Sequence, residues 1–201
     1  MKDRTKIMFA EELNEMLKTM PLSKVRILDL CKRCGATPQT FYYHFKDKYE
    51  LVAWIFLNDF ADIYGDAEAD YSPQRLEEIM LHMQKRKEFY QKAYAEHSQN
   101  SINAYIHDFD MQIARAAVKK STGQETLTHE QQMAVAYHSF GVMGMFQDWI
   151  FSKSPMPASE LAEFLYEKTP AFLRESFRQY EFSSKGILER AGNNHGTATW
   201  R

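Results

Sequence analysis

Cysteine, proline and glycine are all scarce in this chain, at two, six and eight among 201 residues. Two cysteines cannot build a disulfide framework, and they suit a reducing compartment, so a cytoplasmic location is expected. No apolar run approaches the roughly 20 residues that span a bilayer, and no membrane partner is expected. The opening Met1-Lys2-Asp3-Arg4-Thr5-Lys6 is charged and leads into no unbroken apolar stretch of the kind a secretion signal carries. Sustained alternation of apolar and polar residues is missing, as are the Asn-Gly and Asp-Gly pairs of tight hairpins, which argues against strands. Enzyme signals are missing too. There is no glycine loop to cradle phosphate, no nucleophile elbow and no revealing carboxylate pair. No H-x-x-x-H or H-E-x-x-H occurs, so we expect no catalytic residue, no metal site and no cofactor.

What the chain does have is apolar content of 44% and aromatic content of 14%, enough to bury a core. Net charge is only −2, yet it is unevenly spread. Residues 1–50 hold ten Lys/Arg against seven acids, and within 24–48 the ratio is six to two. A basic end on an acidic body fits an anionic partner held locally.

The pattern reads as helix almost throughout. Ile7, Ala10, Leu13, Leu17 and Met20 form one stripe that ends at Pro21. Ser23 to about Cys34 reads as a short second helix closed by Gly35. Thr37-Pro38 is a helix start, with threonine as N-cap and proline in the first turn, and this third helix runs to about His44. Asp47 caps a longer fourth helix, with Val52, Phe56, Phe60 and Ile63 as its stripe. Ser72-Pro73 opens further helix, in two or three pieces, to about Lys120. Thr128-His129-Glu130-Gln131 has capping-box spacing and opens a long helix to about Phe151. Ser154-Pro155-Met156-Pro157 stops it, and a last helical region from Ala158 restarts at Thr169-Pro170. The end beyond Ser183 reads as a weakly ordered tail. The expected architecture is therefore all-α: 1–48 as a three-helix helix-turn-helix domain, 49–183 as a helical dimerisation and candidate effector domain, and 184–201 as the tail.

The densest stretch is Gly35-Ala-Thr-Pro-Gln-Thr-Phe-Tyr-Tyr-His-Phe-Lys-Asp-Lys48. A two-turn helix cannot bury four aromatics. At 100° per residue Phe41 and Phe45 share a face and turn inward, while Tyr42 and Tyr43 join Gln39 and Thr40 on the outside. A short helix, a glycine turn and a second short helix fit a major groove about 12 Å wide. Tyrosine can reach phosphate or a thymine methyl, and Gln and Thr can read base edges. His44 and Lys48 stand where phosphate would pass.

The run Leu30-Cys-Lys-Arg-Cys-Gly35-Ala-Thr37-Pro-Gln-Thr-Phe41-Tyr-Tyr-His-Phe45-Lys-Asp-Lys48 resembles the DNA-binding signature of the TetR family of bacterial transcription regulators. The resemblance covers roughly residues 5–60. It implies that Thr37, Tyr43, His44 and Lys48 hold phosphates and that Pro38, Gln39, Thr40 and Tyr42 face bases of double-stranded DNA. It also implies a homodimer with a helical C-terminal domain, answering to a small-molecule effector or to a protein co-activator. The C-terminal pattern, with Lys87-Glu-Phe-Tyr90 and Gly141-Val-Met-Gly-Met-Phe-Gln-Asp-Trp149, is similar to the branch that regulates dihydroxyacetone kinase genes. Two departures stand out. Arg26 occupies a position often held by Ser or Thr, which suggests a longer cationic contact. Cys31 and Cys34 replace the usual alanines, and we read them as packing rather than as a thiol switch or metal site.

In the C-terminal part, Met133, Tyr137, Phe140 and Gly144 make one stripe, and Ala134, His138, Gly141, Met145 and Trp149 a second. Apolar character on two faces predicts cover on both, the second supplied by a symmetry mate. Phe89, Tyr90, Tyr105, His107, Phe109, Met143 and Phe146 are candidate effector-pocket residues, with ordinary core packing as the competing reading.

Overall fold

The computed structural model describes residues 4–64, 71–96 and 102–180. Among them every regular element is helical, and no helix is long and apolar enough to cross a membrane. The chain divides into two compact units. The first comprises Met1–Phe56 and Arg86–Tyr105, the second Leu57–Lys85 and Ile106–Arg201. The expected tail, 184–201, lies outside the described residues.

The first unit begins with α1 (Arg4–Thr19), which buries Phe9, Ala10, Leu13, Met16 and Leu17. Its inward face is rotated from the expected stripe. Phe9 is fully buried, whereas Ile7 and Met20 are half-buried, because Phe9 supplies the ring that meets Phe41.

The single helix expected from Ser23 to Cys34 is two elements. A 3-10 turn, Leu22–Lys24, is followed by α2 (Ile27–Arg33). Between them Val25 and Arg26 are extended, with ψ near 122° and 135°. Val25 is buried, and a β-branched residue adopts that conformation readily. The helix α2 ends in a Schellman turn. Gly35 N–H bonds to Lys32 O at 3.2 Å and Ala36 N–H to Cys31 O at 2.9 Å. Gly35 sits at φ 61°, where a side chain is strained, which accounts for the glycine.

Next comes α3 (Pro38–His44). Thr37 caps it by accepting from Thr40 N–H at 3.2 Å. Asp47 then starts α4 (Lys48–Tyr64) by accepting from the amides of Tyr49 and Glu50, each at 2.9 Å. Later in the chain α6 (Lys87–Tyr94) packs on α1 and buries Phe89, Tyr90, Ala93 and Tyr94.

The second unit holds α5 (Pro73–Gln84), α8 (His129–Phe151), α9 (Ala158–Lys168), α10 (Ala171–Arg178) and most of α7 (Ile102–Thr122). The helix α5 starts at the cap Ser72 and lies against α9. Thr128 and Gln131 form the expected reciprocal capping box at the head of α8. The Trp149 indole donates to Met156 O at 2.8 Å, tying the proline-rich stop back to α8. Pro170 separates α9 from α10, and buried Thr169 just before it bonds Tyr71 at 2.9 Å.

Only part of the cover expected for α8 is present within one chain. Val135, Ser139, Phe146, Trp149 and Ile150 are buried. Met133, Tyr137 and Phe140 stand 61%, 82% and 63% exposed, with Gly141 and Gly144 exposed beside them.

Candidate nucleic-acid interface

The aromatic cluster of α3 splits as its helical spacing requires. Phe41 packs edge to face on Phe9, with centroids 5.2 Å apart, and lies 5.6 Å from Phe45, which in turn meets Trp54 at 6.1 Å. Both phenylalanines are buried. Tyr42 and Tyr43 are 57% and 84% exposed, and Pro38 and Gln39 are exposed as well. The fixed phenylalanines leave α3 little freedom to roll, so its outer residues keep their positions.

Thr37 and Thr40 are tied together, their hydroxyls 3.0 Å apart. If Thr40 donates in that pair, Thr37 accepts twice and keeps its own hydrogen for an outside acceptor. Half-buried Thr40 then has its hydroxyl occupied, which restricts what it can offer a base. His44 is half-buried, with its ring edge-on to Tyr43 at 4.9 Å. Arg26, at the N-cap of α2, is exposed and makes no capping bond.

The six cations of 24–48 are not equivalent. Arg33 pairs with Glu12 at 2.7 Å, so part of its charge is spent inside the unit. Lys24, Arg26, Lys32 and Lys46 are exposed. Lys24, Lys32 and Lys46 were absent from the sequence-derived site, because one sequence does not tell an outward lysine from a paired one. Lys6 was also missed; its ammonium lies over Phe45 and Trp54 at 5.7 and 5.9 Å from their centroids.

Lys48 departs from the expectation that it binds phosphate. Its Nζ donates to Leu22 O at 2.8 Å, Ser23 O at 3.1 Å and Val25 O at 3.1 Å. An ammonium has three donors, and all three are engaged by the 3-10 turn and its cap. Burial lowers the Lys48 pKa, with Glu96 and Asp47 pulling the other way.

Cys31 is buried, and Cys34 Sγ lies 3.8 Å from Met8 O. Burial pushes both thiols up, Cys34 to about 11 with Glu12 adding to the rise. A thiol held protonated is a poor nucleophile and a poor ligand. No group of three or more His, Cys, Asp or Glu among the described residues is placed to hold a metal.

The candidate effector residues divide between the units. Phe89, Tyr90 and Tyr105 belong to the first, where Phe89 and Tyr90 are buried and Arg86 lies 4.7 Å from the Phe89 ring. Burial raises the Tyr105 pKa, with a smaller contribution from Glu50. His107, Phe109, Met143 and Phe146 belong to the second. There Phe109 packs on Phe60 at 6.0 Å and Phe146 beside Trp149 at 5.9 Å. His107 Nδ1 lies 3.1 Å from Ser139 Oγ, and its ring stacks on Phe140 at 4.1 Å. The Ser139 hydroxyl donates to Asp110 Oδ2 at 3.3 Å. His107 and Asp110 thus meet through a serine some thirty residues away, a link that adjacency in the sequence could not reveal.

Two family models match the chain. One, described as bacterial regulatory proteins of the tetR family, covers residues 15–55; the other, a transcriptional regulator C-terminal region, covers residues 70–169. The chain belongs to the TetR family. It is a TetR-type transcription regulator with an N-terminal DNA-binding domain. A curated relative, the HTH-type dhaKLM operon transcriptional activator DhaS of Lactococcus lactis subsp. lactis (strain IL1403), is 28% identical over 92 residues, which are 45% of this chain and 49% of the relative. The match thus spans about half of that relative's length. Among solved structures, a dihydroxyacetone kinase operon activator DhaS superposes with a TM-score of 0.54 at 19% identity, over 89% of this chain and 98% of that one. A tetR-family transcriptional regulator from Streptomyces coelicolor gives 0.54 at 15% identity, over 94% and 89%. At these identities the superpositions establish the all-helical TetR fold.

Proposed function

We propose that this regulator binds an inverted-repeat operator in double-stranded DNA as a homodimer, with α3 of each protomer in the major groove. The observation that carries this is the division of α3 into buried Phe41 and Phe45 and exposed Tyr42 and Tyr43. A surface of two tyrosines, a glutamine and a proline on a pinned helix has little purpose in a monomer's own packing. Beside it stand the exposed cations Lys24, Arg26, Lys32 and Lys46, a charge of the sign DNA attracts. In this reading Pro38, Gln39, Thr40 and Tyr42 face bases, while Arg26, Thr37, Tyr43 and His44 meet the backbone. Residues 1–48 carry DNA binding and 49–183 carry dimerisation.

The second copy is assigned to the exposed face of α8. A two-fold dimer places its reading helices about 34 Å apart, one turn of duplex. Met133, Tyr137 and Phe140 are apolar or aromatic, and the glycines among them admit close backbone approach. Control by a small molecule or by a protein co-activator rests on family membership and on the likeness to an operon activator.

Selection of random duplexes by the purified protein, followed by sequencing, tests this reading. Enrichment of an inverted repeat is expected. Enrichment of nothing at low salt, by a sample shown to be folded, would refute direct operator reading and favour action through a protein partner.

A further inference from the structure

We propose that Lys48 is a positioning residue for DNA binding: its ammonium gathers the carbonyls of the 3-10 turn Leu22–Lys24 and so sets the start of α2 against the start of α4. This rests on the operator-binding reading above.

The contact is saturated. Leu22 O, Ser23 O and Val25 O lie 2.8, 3.1 and 3.1 Å from Nζ. Three donors meeting three acceptors leave none for a phosphate. Leu22 O already accepts Val25 N–H at 3.1 Å, so the lysine takes its second lone pair. The ammonium also sits at the carbonyl end of a helical turn, where positive charge is favoured.

The tie also supplies what the local sequence lacks. Pro21 before the 3-10 turn and Arg26 before α2 make no side-chain capping bond. Nothing in residues 21–26 therefore caps the entry to α2 from within. On the other side, Lys48 is the first residue of α4, whose start is capped by Asp47. The lysine stem rises from a fixed point and reaches an uncapped one. Between these points the chain carries α2, the Gly35 turn and α3. Phe41 and Phe45 anchor α3 in the core, and Lys48 fixes the end of α2 that bears Arg26. Groups on both helices must arrive at the duplex together, so the angle between their starts decides whether a specific fit forms.

The alternatives separate experimentally in the full-length protein, with Lys48→Met and Lys48→Arg. The probes are the duplex recovered by selection and a random-sequence duplex. A phosphate ligand, once removed, lowers the slope of log affinity against log salt by about 0.9 for both duplexes. Arginine would replace such a ligand well. A positioning residue behaves otherwise. Random-duplex affinity and its salt slope should stay as in the wild type, while preference for the selected duplex falls roughly tenfold, as expected when charged hydrogen bonds are lost. Lys48→Arg should fail similarly, because a planar guanidinium cannot direct three donors at three converging carbonyls. Amide hydrogen exchange in both variants should speed up over residues 22–30 and stay unchanged in α8.

A slope reduced by about one together with full rescue by Lys48→Arg would overturn the proposal. So would unchanged exchange over residues 22–30 in a folded variant. Should selection recover no duplex, the operator reading fails, and the exchange measurement alone still decides whether Lys48 holds the turn. If Lys48→Met does not fold, Lys48→Arg carries both readouts.

Discussion

Phe41 closes edge to face on Phe9 at 5.2 Å, and both rings are completely buried. This contact joins the reading helix to the first helix of the chain, so the two should fail together. Phe41→Ala removes a ring from a packed site and is expected to cost about 3–5 kcal/mol. That is a large share of the stability of a typical domain. Tyr43→Ala, two positions on and 84% exposed, should shift stability by less than about 0.5 kcal/mol. Thermal unfolding followed by circular dichroism compares them. Equal melting of the two variants would show that the buried pair does not hold α3.

The tyrosines themselves divide by role. Tyr42 is assigned to bases, so Tyr42→Ala should lower affinity for the selected duplex by about 1 kcal/mol and leave random duplex alone, compressing the ratio between them. Tyr43 is assigned to the backbone, so Tyr43→Ala should weaken both duplexes alike. Tyrosine is neutral, so neither change should alter the salt slope. Parallel losses on both duplexes for Tyr42→Ala would remove it from the base-facing set.

These assignments were legible before any coordinates because their causes are local. Thr37, Asp47, Ser72 and Thr128 bond amides two or three residues away, and that spacing is written in the chain. The inward pair Phe41 and Phe45 follows from the turn of the helix. What escaped was non-local. Ser23–Cys34 read as one helix because nothing in those twelve letters says that Val25 is buried and that Lys48, more than twenty residues on, collects the turn's carbonyls. Lys48 itself was misread because a lysine after an aromatic box looks the same whether it turns out or in. The link from His107 through Ser139 to Asp110 joins two helices whose pairing no single sequence announces.

The face of α8 yields a prediction about assembly. Tyr137 and Phe140 are 82% and 63% exposed, so neither is needed for the fold of one chain. Replacing both with glutamate should leave the melting of the monomer within about 1 kcal/mol of expectation for surface changes. It should also abolish the dimer, because two pairs of like charges would face each other across a two-fold axis. Sedimentation velocity reports the mass directly. A variant that stays dimeric would place the interface elsewhere. A variant that becomes monomeric should also lose the inverted repeat while retaining weak random-duplex binding.

Two buried groups in the second unit make opposite demands on pH. Burial pushes the Asp110 carboxyl up to about 6, although the Ser139 hydrogen bond works against the rise. Burial pushes His138 down to about 4. Between pH 4 and 6 the folded chain holds a proton on Asp110 that the unfolded chain has released, so this group makes stability fall as pH rises. Over much the same window the unfolded chain holds a proton on His138 that the folded chain refuses, so this group makes stability rise with pH. The other groups around Asp110 are the Ser139 hydroxyl, His107 beyond it, and Tyr71, whose phenol is pushed up to about 12 and stays neutral throughout. The two slopes therefore largely offset each other in the wild type. Asp110→Asn should remove the falling contribution and make stability climb more steeply from pH 4 to 6. His138→Gln should remove the rising one and flatten or reverse the trend. Urea midpoints measured at several pH values check both. If the two variants tilt the pH dependence in the same direction, at least one of these groups is not buried in the protonation state assigned to it.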